Sequence, residues 1–405
     1  MAPLPLPSIF GRAQSAPVAS SVGEQLRTQW ANPNDILSLL LLIGGDVVQR
    51  ALAQQTGHRL PLPTPVAFSF GWVAYTFMGL LSAVGDSALL PPPEFPCIVF
   101  STEWGYVRNN QSWIICRLLR DFEKSWMPSQ VRQRFQQMLK IAGPNRKRRS
   151  GLCISVFEAS SKAEAGFPRR DVYWYSGFAI SGIQLLIALI PWLLWRNWEI
   201  FPITVTGTFL AYFTASLPQW SHERWACNRN VDKTMVITRG NGAQHAIVII
   251  GAGRSLDLED LASSAEGFPP QSAITWLFGG LTTLWCALLI TVCGLTQNTW
   301  FLIAIGTLGM VHTVIIAGAP RKPESFGIHL EYRAVFTQPK VMETLKEAEA
   351  AYPGLGRSML HTFFPGDLWP DEVAFWKEAR KIEIDKKRQT KKKLEVRSVQ
   401  PTNSS

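Results

Sequence analysis

Arg239 and His245 stand at the two ends of the run Gly240-Asn241-Gly242-Ala243-Gln244. Glycine-rich backbone lets a ligand come close to the main chain, while a guanidinium and an imidazole beside it supply a fixed cation and a titratable donor and acceptor. With Arg254, which follows Gly251-Ala252-Gly253, they form the candidate ligand-binding set. Glu103, Asp121, His222, Glu223, Asp257, Glu259 and Asp260 could form acid–base pairs with one another or with His245 if the fold gathers them, so the catalytic residues stay unassigned. No GxSxG elbow, GxxxxGK[ST] loop, CxxC or HxxxH occurs, so no metal site and no cofactor is identified. The turn Gly251-Ala252-Gly253 resembles the start of a dinucleotide fold. Its third small residue is replaced by Leu256, however, and Asp257, Glu259 and Asp260 crowd the helix start where a pyrophosphate would sit.

Three further polar residues lie in or beside apolar runs: Asp46, Asp86 and His312. An ionisable group at membrane depth is costly, which makes these the intramembrane or interfacial candidates. A transporter could place them around a cavity, but repeated halves and several midplane charges are not evident. The alternative is that His312, like Gln184, bonds to a neighbouring helix while both acids lie near the interface.

The elements that must position these groups follow from where charge is missing. Val66–Val84, Tyr175–Trp195, Ile200–Leu217, Ala273–Gly294 and Thr299–Ala319 contain no Asp, Glu, Lys or Arg, in a chain that is 17% charged overall. Each is near the roughly 20 residues that a helix needs to cross the hydrocarbon layer. Ile36–Val48 is a shorter and uncertain sixth span, which balances the topology. The expectation is an α-helical polytopic membrane protein of about six spans, with a mixed α/β domain built from two inter-span segments. It divides as a disordered 1–34, spans in 35–90, an α/β segment 91–173, spans in 174–217, a hairpin–helix segment 218–272, spans in 273–319 and a helical basic tail 320–405. Met235–Thr238 and His245–Ile250 flank Asn241-Gly242 as the strands of a hairpin, and Cys97–Thr102 and Leu152–Phe157 read as further strands.

With six spans and both termini in the cytosol, Lys and Arg fall almost wholly on the cytosolic side, as translocation favours. The compartment is reducing, so Cys97, Cys116, Cys153 and Cys227 are expected as free thiols. Two clusters suit anionic lipid headgroups: Arg146, Lys147, Arg148 and Arg149, and then Lys386, Lys387, Arg388, Lys391, Lys392 and Lys393. Membrane lipids are therefore the expected partners, and nucleic acid is not.

The stretch Thr238–Gly251, reading TRGNGAQHAIVIIG, and its continuation Leu256–Ala262, LDLEDLA, resemble a signature of multi-pass membrane proteins of filamentous fungi. Glu103-Trp104-Gly105 and Cys116–Trp126 carry the same resemblance, which spans most of residues 30–365. It implies a topology and a fungal endomembrane rather than an activity, with an accessory role in specialised metabolism by association. The leading expectation is a cytosolic module that binds a partner or small ligand. The alternatives are a membrane enzyme acting on a lipophilic metabolite, and a transporter.

Overall fold

The computed structural model describes residues 44–58, 62–85, 88–103, 105–142, 151–263, 272–295 and 297–399. Helices α1 (Gly45–Gln55) and α2 (Trp72–Val84) come first. Strands β1 (Ile98–Ser101) and β2 (Val107–Asn109), helices α3 (Trp113–Asp121) and α4 (Ser129–Ala142) and strand β3 (Leu152–Ala159) follow. Next are α5 (Val172–Trp195), α6 (Ile200–Ala215) and the short α7 (Pro218–Arg224). Strands β4 (Arg229–Val231), β5 (Thr234–Thr238), β6 (His245–Ile250) and β7 (Ser255–Leu256) lead into α8 (Leu258–Ser263). Helices α9 (Ser272–Cys293) and α10 (Thr299–Gly318), strand β8 (Leu330–Gln338) and helices α11 (Val341–Ala351), α12 (Leu355–Phe363) and α13 (Pro370–Val399) complete the order.

Among the described residues, four helices are long and apolar enough to cross a membrane: α5, α6 continued through α7, α9 and α10. Short turns join α5 to α6 and α9 to α10 at the far end of this bundle, where Trp192, Trp195, Trp198 and Trp300 are partly exposed, as aromatic rings are at a headgroup layer. At the other, domain end, the helices meet a six-stranded mixed sheet.

The remaining uncharged stretch, Val66–Val84, is not one helix and so departs from the six-span expectation. Pro63 and Pro65 forbid helical hydrogen bonding, and the chain runs without helix or strand from Pro63 to Ser69 before α2 begins after Gly71. Thr64 N–H donates to Ser216 Oγ at the domain end of α6. Phe68 then lies against Gly207 and Gly309, and Phe70 against Gly306. Trp72 stacks on Trp285, with centroids 5.5 Å apart. Helix α2 runs back antiparallel to α9: Thr282 Oγ1 donates to Thr76 O, and Thr275 Oγ1 to Ala83 O. The segment thus enters the bundle and leaves by the same end. Phe70, level with Gly306, lies twelve residues or about 18 Å along α10 from the domain end. Irregular backbone survives at such depth only when wrapped in protein. Gln184 Nε2 on α5 donates to Phe68 O and Ile305 O, and Trp72 Nε1 donates to Ala67 O.

Residues 36–43 of the uncertain first span lie outside the described residues. The 11-residue α1, with Asp46 in its first turn, is too short to cross. It runs from Gly44, beside Met310, to the domain end, where Gln55 Nε2 donates to Tyr173 O.

The sheet order is β2-β1-β5-β6-β3-β8, antiparallel except for the β6–β3 pair. Strand β8 corrects the expectation that two inter-span segments build the domain: the C-terminal segment supplies an edge strand and a whole layer. Alternate residues face opposite ways along a strand. Val99, Met235, Ile237, Ile247 and Ile249 pack on α3 and α8, towards the bundle. Phe100, Val236, Val248, Ile154 and Val156 pack on α11, α12 and α13.

A Cβ on Gly309 would collide with the Phe68 carbonyl. Gly309→Ala is therefore expected to cost about 2–4 kcal/mol. Gln184→Leu, which strips two buried carbonyls of their donor, is expected to cost about 1–3 kcal/mol. Gly182→Ala on the same helix α5 meets open space and is expected to be neutral. Thermal unfolding in detergent checks all three; equal midpoints would refute the wrapped segment.

Candidate ligand site at the membrane junction

Helix α3 carries Arg117 in the apolar run Trp113–Leu119, and the fold uses that guanidinium to close a helix end. Arg117 Nη1 donates to Ala317 O and Nη2 to Ala319 O, the last carbonyls of α10, while Nη1 also reaches Glu94 Oε1 at 3.0 Å. Cations favour the C-terminal end of a helix dipole. Arg321 Nη1 donates to Gln54 O at the end of α1, and Arg224 Nη1 to Ala53 O and Thr56 O. All three arginines are buried, and Asp121, also buried, accepts from Arg321 N–H and Arg120 Nε. Burial pulls the Arg117 and Arg321 guanidinium pKa values below their ordinary range. The sheet domain is thus fastened to the bundle by cations set on carbonyls that helix geometry leaves open.

A cavity of about 240 Å³ lies at this junction. Gly57, His58 and Thr64 line it at the mouth of the wrapped segment, and Ser216, Ser221 and His222 line it from the α6–α7 bend. Phe167 and Arg229, with the guanidinium 5.3 Å from the Phe167 ring, close another side. His58 packs edge-on against Trp174 at 5.7 Å. Its pKa is lowered to about 3 by burial, helped by Arg224, Arg321 and Arg170 nearby. It is a neutral imidazole at physiological pH, suited to hydrogen bonding and too weak a base to take protons there.

Ser216 also lines a second cavity of about 430 Å³, bounded by Pro63, Leu185, Val205, Phe209, Tyr212 and Phe213 between α5 and α6. A polar pocket therefore adjoins an apolar one, and Phe209 and Phe213 in the latter are exposed on the outer surface of the bundle.

The sequence candidates fall elsewhere. Arg239 stacks over Phe95 at 4.2 Å, and His245, at the start of β6, lies between the Phe122 and Phe135 rings. His245 Nε2 is 3.7 Å from Glu123 Oε1, and burial lowers its pKa. Arg254 is exposed at the opposite end of β6, so the set is split. The N–H groups of Glu259 and Asp260 already bond Asp257 Oδ1, which occupies the anion position at the start of α8. His312 Nε2 is 2.9 Å from Ser176 Oγ, joining α10 to α5. Asp46 borders a different junctional cavity with Arg50, Glu94 and Arg120. Asp86 and the cluster Arg146, Lys147, Arg148 and Arg149 lie outside the described residues. Arg388 is exposed on α13, and the side chains of Lys386, Lys387, Lys391, Lys392 and Lys393 on that helix lie outside the described ones. Among the described residues no His, Cys, Asp and Glu cluster could hold a metal.

No family model, curated protein or solved structure matches the chain. The arginines that fasten the domain carry no sequence motif. Their one signal is Arg117 standing in an otherwise apolar face. His58 could be found only by seeing that the prolines after it turn the chain into the bundle.

The pKa of His58 lies below its unfolded value of about 6.5, so as pH falls the unfolded chain binds the proton first. The stabilisation is complete above pH 6.5 and is lost towards pH 3, by up to about 1.4 kcal/mol per unit. His58→Gln is expected to flatten the fall of the unfolding midpoint between pH 7 and pH 5. An unchanged fall would show that His58 is not held neutral.

Proposed function

We propose that the chain is a membrane-embedded binding protein for a small amphiphilic molecule taken laterally from the bilayer, with the sheet domain on the cytosolic side of an endomembrane. The observation that carries this reading is Ser216, shared by the His58–His222–Arg229 pocket and the apolar cavity between α5 and α6. A polar head of the ligand sits among hydrogen-bonding side chains near Arg229, and its tail lies against Phe209 and Phe213. Together the two volumes fall within the range of small-molecule sites. The orientation is supported by charge: of the basic residues whose positions are described, only Arg196 lies in a far-end turn. In this reading the ligand is a lipophilic product of specialised metabolism, in keeping with the resemblance to multi-pass proteins of filamentous fungi. A second reading, an enzyme acting on such a metabolite, is favoured by Ser221 and His222 in the same pocket.

Native mass spectrometry of protein purified in mild detergent is expected to show a bound small molecule in the wild type. It is expected to be lost in Thr208→Trp, which fills the apolar cavity, and reduced at least tenfold in His222→Ala with Arg229→Ala, with melting temperatures preserved. A bound mass that survives both variants would overturn the assignment of the site.

A further inference from the structure

A third junctional cavity, of about 630 Å³, opens where α5 begins and α10 ends. Four cations line it: Arg169, Arg170, Arg321 and Lys322. Two carboxylates, Asp171 and Glu324, line it as well, leaving an excess of positive charge. Asp171 is already occupied: Oδ1 accepts from Trp174 N–H, and Oδ2 from Ser325 Oγ, with Arg321 Nε 3.4 Å away. Arg321 is 2% exposed, yet its Nη2 has no hydrogen-bond partner. An unpaired donor on a buried cation costs free energy comparable to a lost charged hydrogen bond, and an anion in the cavity would recover it. Glu324 Oε2 is also buried and unpaired, so the P–OH of a singly ionised phosphate monoester, donating to it, would satisfy both.

The position specifies the ligand further. Val172 and Tyr175, in the first turn of α5, are 80% and 57% exposed beside the cavity. They belong to a helix long enough to cross the membrane, so apolar surface begins where the cations end. Basic pockets at the end of spanning helices hold phosphate-bearing headgroups, with the guanidinium fork matched to phosphate oxygens.

We infer that this cavity is a phosphate site, in which Arg321 and Arg170 receive the phosphate oxygens and Lys322 screens the remaining charge. The phosphate belongs either to a lipid headgroup, with its acyl chains along Val172 and Tyr175, or to a soluble phosphate ester. The inference needs α5 to cross the membrane but not the occupancy of the His58 pocket.

The test uses full-length protein, delipidated in detergent, and native mass spectrometry with three additions: phosphatidic acid, phosphatidylcholine and glycerol 3-phosphate. Arg321→Met also removes the bond to Gln54 O and endangers folding, so the working variant is Arg170→Gln with Lys322→Gln. Lys340→Gln, remote in sequence at the start of α11, is the control. Phosphatidic acid is expected to bind at least tenfold more tightly than phosphatidylcholine, with that preference lost in the double variant and kept in Lys340→Gln. Binding of glycerol 3-phosphate as tightly as phosphatidic acid, lost in the same variant, would assign the site to a soluble ester. Equal affinity for the two lipids without glycerol 3-phosphate binding, or unchanged binding in the double variant, would overturn the inference.

Discussion

Backbone amides cannot go unpaired where there is no water, and the stretch from Thr64 to Gly71 takes non-helical backbone to membrane depth. Much of the bundle is arranged around that demand. Gly177, Gly207, Gly306 and Gly309 each leave a gap that the descending segment fills: a Cβ at any of them would run into Pro65, Phe68 or Phe70. Gln184 supplies donors to two carbonyls at once. The cluster of Phe68, Trp72, Tyr75, Trp220 and Trp285 then packs the interior against the returning helix α2. Small residues and an internal amide are the usual means by which helices come together in lipid, where burial of apolar surface offers little.

The same segment brings the mouth of the bundle, and with it His58, under the sheet domain. There the cost is of another kind, because Arg117, Arg224 and Arg321 are charges removed from water. Each is offset by carbonyls at helix ends, and two of them by carboxylates as well: Glu94 and Asp121 beside Arg117, Asp171 beside Arg321. Fixing two helix ends, those of α1 and α10, with three arginines holds the sheet at a set height over the spans, and the junctional cavities are the spaces left between these fixed points. Ligand chemistry is concentrated there because polar side chains, apolar helix surface and uncompensated donors meet at one level.

Four long apolar helices were legible in the sequence as uncharged runs, and so were the β5–β6 hairpin, the strands near Cys97 and Leu152, and the helical character of the C-terminal segment. The second expected span was not, because an uncharged run reads alike whether it crosses or doubles back. The discriminating signal was the alternation Pro61, Pro63, Pro65 immediately ahead of it. Strand β8 was hidden by Glu331 and Arg333, which suit an edge strand but read as a charged tail. The polar pocket draws on residues 57, 58, 62, 64, 166–167, 215–218, 221–222, 225 and 229, which share no local pattern. His222 stood among many acid–base candidates, and nothing in the sequence set it beside His58.

Residues 64–84 enter and leave the bundle by the domain end. Single cysteines placed at Leu62 and at Val84, both exposed, in a cysteine-free background report on it directly. In sealed membrane vesicles of known sidedness, a membrane-impermeant maleimide is expected to label both positions from the same side. Labelling of Leu62 and Val84 from opposite sides would contradict the account, since the stretch would then be a crossing helix.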